Sequence, residues 1–224
     1  MYKRQLGIET AGERGGVALL APEGEYEVVF HAGRKHLELL PQAVQAVLAS
    51  AGIKQEEMGL IAVDVGPGSF TGLRIGIAFA KAMAQTLALP LVGVRQTEVL
   101  GAQAKAWWPG RVAVWIHDRR EFLYHAWVSG VKVGKESVLT VDRAIEKLRG
   151  REDVLVVGSG AVRFQELVRK ETPTALVAGE SLAYPDPVTL AKQGLARFEA
   201  QGPDDLLALE PLYIQPPLAN AKEA

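Results

Sequence analysis

The chain has 224 residues, with 25 basic and 26 acidic side chains and a formal net charge of -1. Proteins that hold nucleic acid on their own usually carry a basic excess, so this balance argues against stand-alone RNA or DNA binding. The absence of cysteine excludes disulfides and thiolate metal sites. No uncharged apolar run reaches the roughly 18 residues of a membrane span, and the first residues lack a signal peptide's apolar region. We therefore expect a cytoplasmic protein without membrane contact.

The first part of the chain predicts three strands followed by a helix. The strands are expected at residues 5–10, 17–20 and 26–30, joined by glycine-containing turns as in a meander of hairpins. Apolar residues spaced three and four apart then predict a helix over residues 36–51. Proline is disfavoured inside a helix, so Pro41 requires this helix to start near Leu39 or to kink.

Residues 59–94 predict a strand, a glycine turn, a helix and a second strand. Residues 60–65 form a short apolar run bounded by turn residues, which is typical of a buried strand, and Asp64 is its only carboxylate. The turn at residues 66–69 contains two glycines, and the helix is expected over residues 71–89. This succession is one unit of an α/β fold.

The helix of this unit carries small residues at every fourth position. Because an α-helix has about 3.6 residues per turn, these positions line one stripe. A glycine inside a helix costs about 1 kcal/mol relative to alanine, so close approach of another backbone should offset that cost. The approaching element is either the protein's own sheet or a helix of another subunit. The stripe consists of Gly72, Gly76, Ala80, Ala84 and Ala88.

The glycine turn does not match a phosphate-binding motif. A Walker motif requires four residues between its glycines and a lysine after the second, whereas three residues separate Gly68 from Gly72 and Leu73 follows. The dinucleotide pattern fails at Thr71. An anion at the helix N-terminus remains an open alternative.

The pattern of the first half restarts after Pro109-Gly110, which we take as the boundary between lobes at 1–108 and 109–224. The second lobe includes an extended C-terminal tail. Both halves read β-β-β-α-β-α-β-α, so we predict an α/β protein with a mixed sheet in each lobe. Two such lobes describe the actin-like/Hsp70-like ATPase (ASKHA) fold. The elements expected in the second half are strands at 111–117, 121–128, 131–133, 154–157 and 175–178, and helices at 141–148, 161–170 and 187–200.

The chemistry available for catalysis is sparse. Proteins of this fold hold ATP between the lobes, and weak ATP or ADP binding is the only cofactor that the pattern suggests. Arg14 would crowd a phosphate, and Asp118 could bind magnesium only through water. The four histidines form no His-x-x-x-His pair, and no serine has a partnered histidine, so we predict no catalytic residue and no metal site. The candidate nucleotide-binding residues are Glu9, Thr10, Gly158, Ser159 and Gly160.

The run Asp-Val-Gly-Pro-Gly-Ser-Phe-Thr-Gly-Leu-Arg-Ile-Gly at residues 64–76 resembles the signature of the TsaB family, also called YeaZ. The resemblance is strong over about the first 100 residues and weaker beyond. Further similar segments are Ile8-Glu9-Thr10, residues 36–41, Ala80-Lys81, residues 90–94 and Pro211-Leu212-Tyr213-Ile214.

This resemblance implies a non-catalytic subunit. TsaB proteins are paralogues of TsaD, which transfers a threonylcarbamoyl group to the adenosine beside the tRNA anticodon, and TsaE joins them as an ATPase. TsaD-type sites hold a metal with a His-x-x-x-His pair after the strand equivalent to residues 91–94, whereas residues 95–101 here contain no histidine. The resemblance implies that tRNA is met only through the complex.

The resemblance also implies an interface. The helices of the first lobe are expected to pack against the same helices of TsaD, or of a second copy of this chain. The alternative function is an ATPase or small kinase that uses the cleft between the lobes. The expected interface residues are Leu40, Val44, Gly72, Arg74, Gly76, Ala80 and Ala84.

Overall fold

A computed structural model describes residues 4–33, 35–119, 121–130 and 132–214. Its contacts divide the chain into two compact units. The first contains the described residues up to Gln96 together with Asp186–Leu212, and the second contains Thr97–Pro185 and the residues from Tyr213. Within the described ranges, no helix has both the length and the apolar character needed to cross a membrane.

The elements alternate between strands and helices, as the sequence pattern predicts. The strands are β1 (Gln5–Glu9), β2 (Arg14–Ala21), β3 (Gly24–His31), β4 (Leu60–Gly66), β5 (Leu91–Arg95), β6 (Arg111–His117), β7 (Phe122–Ser129), β8 (Lys132–Val133), β9 (Ser137–Thr140), β10 (Val154–Val157) and β11 (Leu176–Val177). The helices are α1 (His36–Ala51), α2 (Phe70–Leu87), α3 (Gln96–Lys105), α4 (Val141–Leu148), α5 (Ser159–Arg163), α6 (Gln165–Glu171) and α7 (Pro187–Gln201).

The first unit is built on a five-stranded mixed sheet in the order β3-β2-β1-β4-β5. β1, β4 and β5 are parallel, and β2 and β3 are antiparallel to their neighbours. Successive side chains of a strand point to opposite faces. Leu6 and Ile8 of β1 accordingly join the core formed with α1 and α2. A β-carbon at Gly7, between them, would be 3.0 Å from Ala191 of α7, so α7 covers the other face.

The second unit contains a mixed sheet in the order β11-β10-β6-β7-β8, with β9 paired to β7. Trp115 of β6 is fully buried at the centre of one core, and Val112 and Val114 point into a second core on the other face. α4 is capped by Thr140, whose hydroxyl accepts a hydrogen bond from Arg143 N. The two mixed sheets and the strand order confirm the actin-like α/β fold predicted from the sequence.

The partition of the chain differs from the expected lobes at 1–108 and 109–224. Leu100 and Ala104 of α3 lie in a core of the second unit, so that unit starts before Pro109. α7 returns to the first sheet, where a β-carbon at Gly194 would overlap Ala62 of β4. Residues 215–224, part of the expected tail, lie outside the described residues.

Three local expectations also differ from the structure. α1 starts at His36 and contains Pro41 in its second turn, so it does not begin near Leu39. The single helix expected over residues 161–170 is two helices, α5 and α6, that meet at Phe164. β9 is an additional strand that the sequence pattern did not predict. Val131, at the start of the expected strand 131–133, lies outside the described residues.

Candidate functional site

Two carboxyl groups meet at the carboxyl ends of β1 and β4, where ligands bind in many α/β proteins. Glu9 is 1% exposed and Asp64 is fully buried. Glu9 Oε1 accepts a hydrogen bond from Ala11 N at 2.6 Å, and Asp64 Oδ1 accepts one from Gly66 N at 2.6 Å. Each carboxyl group is therefore turned back onto its own strand end.

Glu9 and Asp64 lie close enough for the charge of one to act on the other. Burial, followed by the charge of Asp64, raises the pKa of Glu9 well above its ordinary value, and the more distant Arg14 only partly opposes this. Burial and the neighbouring carboxylate therefore both favour the protonated form of Glu9. Glu9 was expected to face a nucleotide, but its side chain is committed to the interior of the unit.

Thr10 is likewise committed to packing. Its hydroxyl is fully buried and donates to Gly72 O of α2 at 2.8 Å. A β-carbon at Gly72 would overlap Thr10 O, and one at Gly76 would overlap Thr10 Oγ1. The two glycines therefore allow α2 to lie directly against the end of β1. Ser69 caps α2 by accepting a hydrogen bond from Gly72 N.

Most of the expected interface residues are buried within the first unit. The small-residue stripe of α2 faces the protein's own sheet, and the apolar face of α1 lies in the same core, so a role for these side chains at an interface stays a prediction. The buried members are Leu40, Val44, Gly72, Gly76, Ala80 and Ala84. Of the expected set only Arg74 is exposed, with its guanidinium carbon 3.8 Å from the centroid of the Phe70 ring.

We call the solvent-facing sides of α1 and α2 the outer face. Its side chains are mostly small or uncharged, which permits the close approach of another helix. Leu37 adds an apolar side chain that is 69% exposed at the start of α1. The exposed positions include Leu37, Gln42, Gln45, Ala46 and Ala49 of α1, and Thr71, Arg74, Ala78, Ala82 and Gln85 of α2.

The three candidate residues of the second unit hold α5 against β6. Gly158 has a φ of 98°, and a β-carbon there would overlap Trp115 O. Ser159 Oγ accepts a hydrogen bond from His117 N at 3.0 Å. A β-carbon at Gly160 would be 3.0 Å from Trp115 O. This turn therefore has a packing reason for each of its small residues.

The other polar candidates also have structural partners. Asp118 Oδ2 lies 3.8 Å from Arg119 Nε in an ion pair. His36 Nε2 lies 3.0 Å from Gly12 O and donates to it, which ties α1 to the β1–β2 turn. His125 Nδ1 accepts a hydrogen bond from Trp115 Nε1 at 3.1 Å. Among the described residues, no three histidine, aspartate or glutamate side chains are grouped to hold a metal ion.

Burial and the nearby Lys147 lower the pKa of His125 to about 4, so its ring is neutral at physiological pH. Since Nδ1 is the acceptor, the proton of the neutral ring resides on Nε2. Sequence spacing alone did not indicate this core role, because Trp115 and His125 meet only through the β6–β7 register.

These observations define a class of protein that has the actin-type strand order but whose strand-end polar groups are bonded to backbone groups of the protein itself. The model of the family described as TsaD, tRNA N6-adenosine threonylcarbamoyltransferase, matches residues 30–184. The tRNA threonylcarbamoyladenosine biosynthesis protein TsaB of Escherichia coli is 30% identical, over 95% of this chain and 94% of that protein. The chain belongs to the TsaB (YeaZ) family.

Two further comparisons bear on the fold and on TsaD. The solved structure of YeaZ from Pseudomonas aeruginosa is 23% identical and has a TM-score of 0.80, covering 95% of this chain and all of that one. The tRNA N6-adenosine threonylcarbamoyltransferase of Clostridioides difficile is 42% identical, but only over 41% of this chain and 24% of that protein. The identity to the transferase is therefore higher than the identity to TsaB, but it is confined to one part of the transferase.

Proposed function

We propose that this chain is a non-catalytic subunit that binds TsaD and, with TsaD and TsaE, is required to threonylcarbamoylate the adenosine next to the anticodon of tRNA. In this proposal tRNA is contacted only through the complex, and the chain works in the cytoplasm. Membership of the TsaB family indicates the pathway, which is tRNA threonylcarbamoyladenosine biosynthesis. The observation that carries the non-catalytic role is the commitment of Glu9 and Thr10 to internal hydrogen bonds.

The same observation weighs against the alternative of an ATPase or small kinase. Phosphoryl transfer in this fold needs an ionised carboxylate that can hold a metal ion near the phosphates. Burial and the charge of Asp64 favour the uncharged form of Glu9, which cannot supply that charge. Supplying it would require Glu9 to lose a proton while 1% exposed and beside a second carboxylate, which burial and like charge both oppose.

In the proposed complex the outer face of α1 and α2 is the docking surface for TsaD. The chain matches the TsaD family model over residues 30–184, so TsaD carries elements of the same kind, and helix pairs of related subunits can pack across a pseudo-two-fold axis. Alanines at positions 46, 49, 78 and 82 let a partner helix approach closely. With TsaD absent, a second copy of this chain would occupy the same face.

The test places a charge on this face. Ala78→Glu and Ala82→Glu are exposed substitutions to a good helix former, so they should leave the fold intact. We expect each to weaken the Kd for purified TsaD by about tenfold or more in calorimetric titration, because the charge would be buried unpaired. The matched control is Ala196→Glu, an exposed alanine of α7 on the opposite side of the sheet. If Ala78→Glu and Ala82→Glu bind TsaD as tightly as the control Ala196→Glu does, this docking surface is refuted.

A further inference from the structure

The turn that follows α7 contains a leucine whose side chain is exposed to solvent. Leu207 is 85% exposed, more than any other large apolar side chain among the described residues. Its neighbours Leu206 and Leu209 pack against the core of the first unit. An apolar side chain in this position contributes little to the fold, because almost none of its surface is removed from water.

The turn that presents Leu207 is held by three hydrogen bonds. Asp205 Oδ1 accepts hydrogen bonds from Ala208 N at 3.0 Å and Leu207 N at 2.7 Å. These two bonds, followed by the charge of Lys81, lower the pKa of Asp205. Lys81 of α2 also donates from Nζ to Leu207 O at 3.0 Å. These three bonds hold the backbone of the turn at Leu207, while its side chain is left exposed.

This turn lies in the same layer as α1 and α2. α1 packs on β2 and β3, and α2 packs mainly on β4. The segment after α7 reaches β5 on that side: Asp204 N donates to Leu91 O, and a β-carbon at Gly93 would be 2.8 Å from Leu209 Cδ1. The layer therefore continues from α1 across α2 to the turn, and Leu207 flanks the outer face.

We propose that Leu207 is an anchor for TsaD, inserted into an apolar pocket beside the TsaD helix that packs on α2. This inference rests on the proposed function, since it extends the docking surface beyond the outer face. A standard interface uses roughly 20–30 residues per partner, more than the exposed positions of α1 and α2 supply. A helix about 10–12 Å wide, packed 8–10 Å from α2, covers the neighbouring turn.

The chemistry of the turn favours a protein partner over an anion or a nucleic acid. The exposed charged side chains closest in sequence to Leu207 are the carboxylates of Asp205 and Glu210. Two cations near the turn have partners within the unit: Lys81 donates to Leu207 O, and Arg197 is paired with Asp204. A turn whose backbone is already held by hydrogen bonds loses less entropy on binding than a flexible loop would, which suits an anchor residue.

Calorimetric titration with purified TsaD tests this proposal on the full chain. We expect Leu207→Asp to weaken the Kd by about tenfold or more, and Leu207→Ala by a smaller factor. Asp205→Ala should also weaken binding, because it frees the turn while leaving the leucine in place. The matched control, Leu176→Asp, changes a leucine of β11 that is 53% exposed in the second unit, and it should bind as the unmodified chain does.

The outcomes separate this inference from the proposed function. Wild-type affinity of Leu207→Asp, alongside loss of binding by Ala78→Glu, would overturn the anchor and leave the proposed function standing. Failure of the unmodified chain to bind TsaD would overturn the proposed function itself. Sedimentation equilibrium of the chain alone tests whether Leu207 instead contacts a second copy of the chain. A Leu207→Asp variant that loses self-association but binds TsaD normally would refute the proposal.

Discussion

Gly76 of α2 lies against Thr10 of β1 so closely that a β-carbon at position 76 would overlap the Thr10 hydroxyl oxygen. That hydroxyl is fixed by its hydrogen bond to Gly72 O, one helical turn away. The glycines of α2 therefore serve the contact between helix and sheet, which explains why a helix interior tolerates them. It also means that changes at Gly76 act on folding before they act on any partner.

We predict that Gly76→Leu destabilises the isolated chain by about 3 kcal/mol or more, since a large side chain must displace β1 from α2. Urea denaturation followed by circular dichroism measures the change. Ala78→Leu, on the exposed side of the same helix, is the control and should stay within about 0.5 kcal/mol. A Gly76→Leu protein as stable as the unmodified chain would show that α2 does not pack in this way.

The pair of Glu9 and Asp64 predicts an unusual loss of stability towards alkaline pH. Burial and Asp64 raise the pKa of Glu9 in the folded chain above its ordinary value of 4.5. At a pH between 4.5 and this raised pKa, the folded chain therefore binds more protons than the unfolded chain. The free energy of unfolding should therefore fall as pH rises through this window, by at most about 1.4 kcal/mol per pH unit for one proton.

The variant Glu9→Gln isolates this contribution, because an amide keeps an acceptor for Ala11 N and a donor for Asp64 without titrating. We expect it to match the unmodified chain below pH 4.5 and to be more stable above it, as measured by urea denaturation across pH. Parallel pH profiles for the two proteins would mean that Glu9 does not carry a shared proton. A less stable Glu9→Gln at neutral pH would mean that the ionised form is the native one.

His125 predicts the opposite dependence on the acid side. A base whose pKa falls to about 4 on folding is stabilising in its neutral form, so its contribution is complete above pH 6.5 and is lost as pH falls towards 4. NMR of the assigned imidazole provides the measurement. We expect the ring to remain neutral at pH 5, and a titration midpoint near 6.5 would contradict the buried contact with Trp115.

Local patterns in the sequence predicted much of the fold, and long-range contacts account for what they missed. The 3.6-residue periodicity of α1 places its bounds at His36 and Ala51, as observed. The direction of the stripe on α2 could not be read in this way, because Ala78 and Ala82 on the exposed side are as small as Gly76 and Ala80 on the buried side.

The site was harder to predict than the fold, for the same reason. Glu9 and Asp64 are 55 residues apart and become neighbours only because β1 and β4 pair in parallel. The return of α7 to the first sheet, and with it the turn at Leu207, depends on Gly7 and Gly194 leaving room between helix and strands. Neither glycine forms a motif that a single sequence reveals.

Reconstitution of the modification reaction tests whether this chain is a required subunit. TsaD, TsaE, ATP, threonylcarbamoyl-adenylate and unmodified tRNA are combined with and without this chain, and the modified adenosine is quantified. We expect modification to require the chain, the chain alone to produce no turnover, and Ala78→Glu to fail where Ala196→Glu succeeds. Modification that proceeds equally well without the chain would contradict the proposed role as a required subunit.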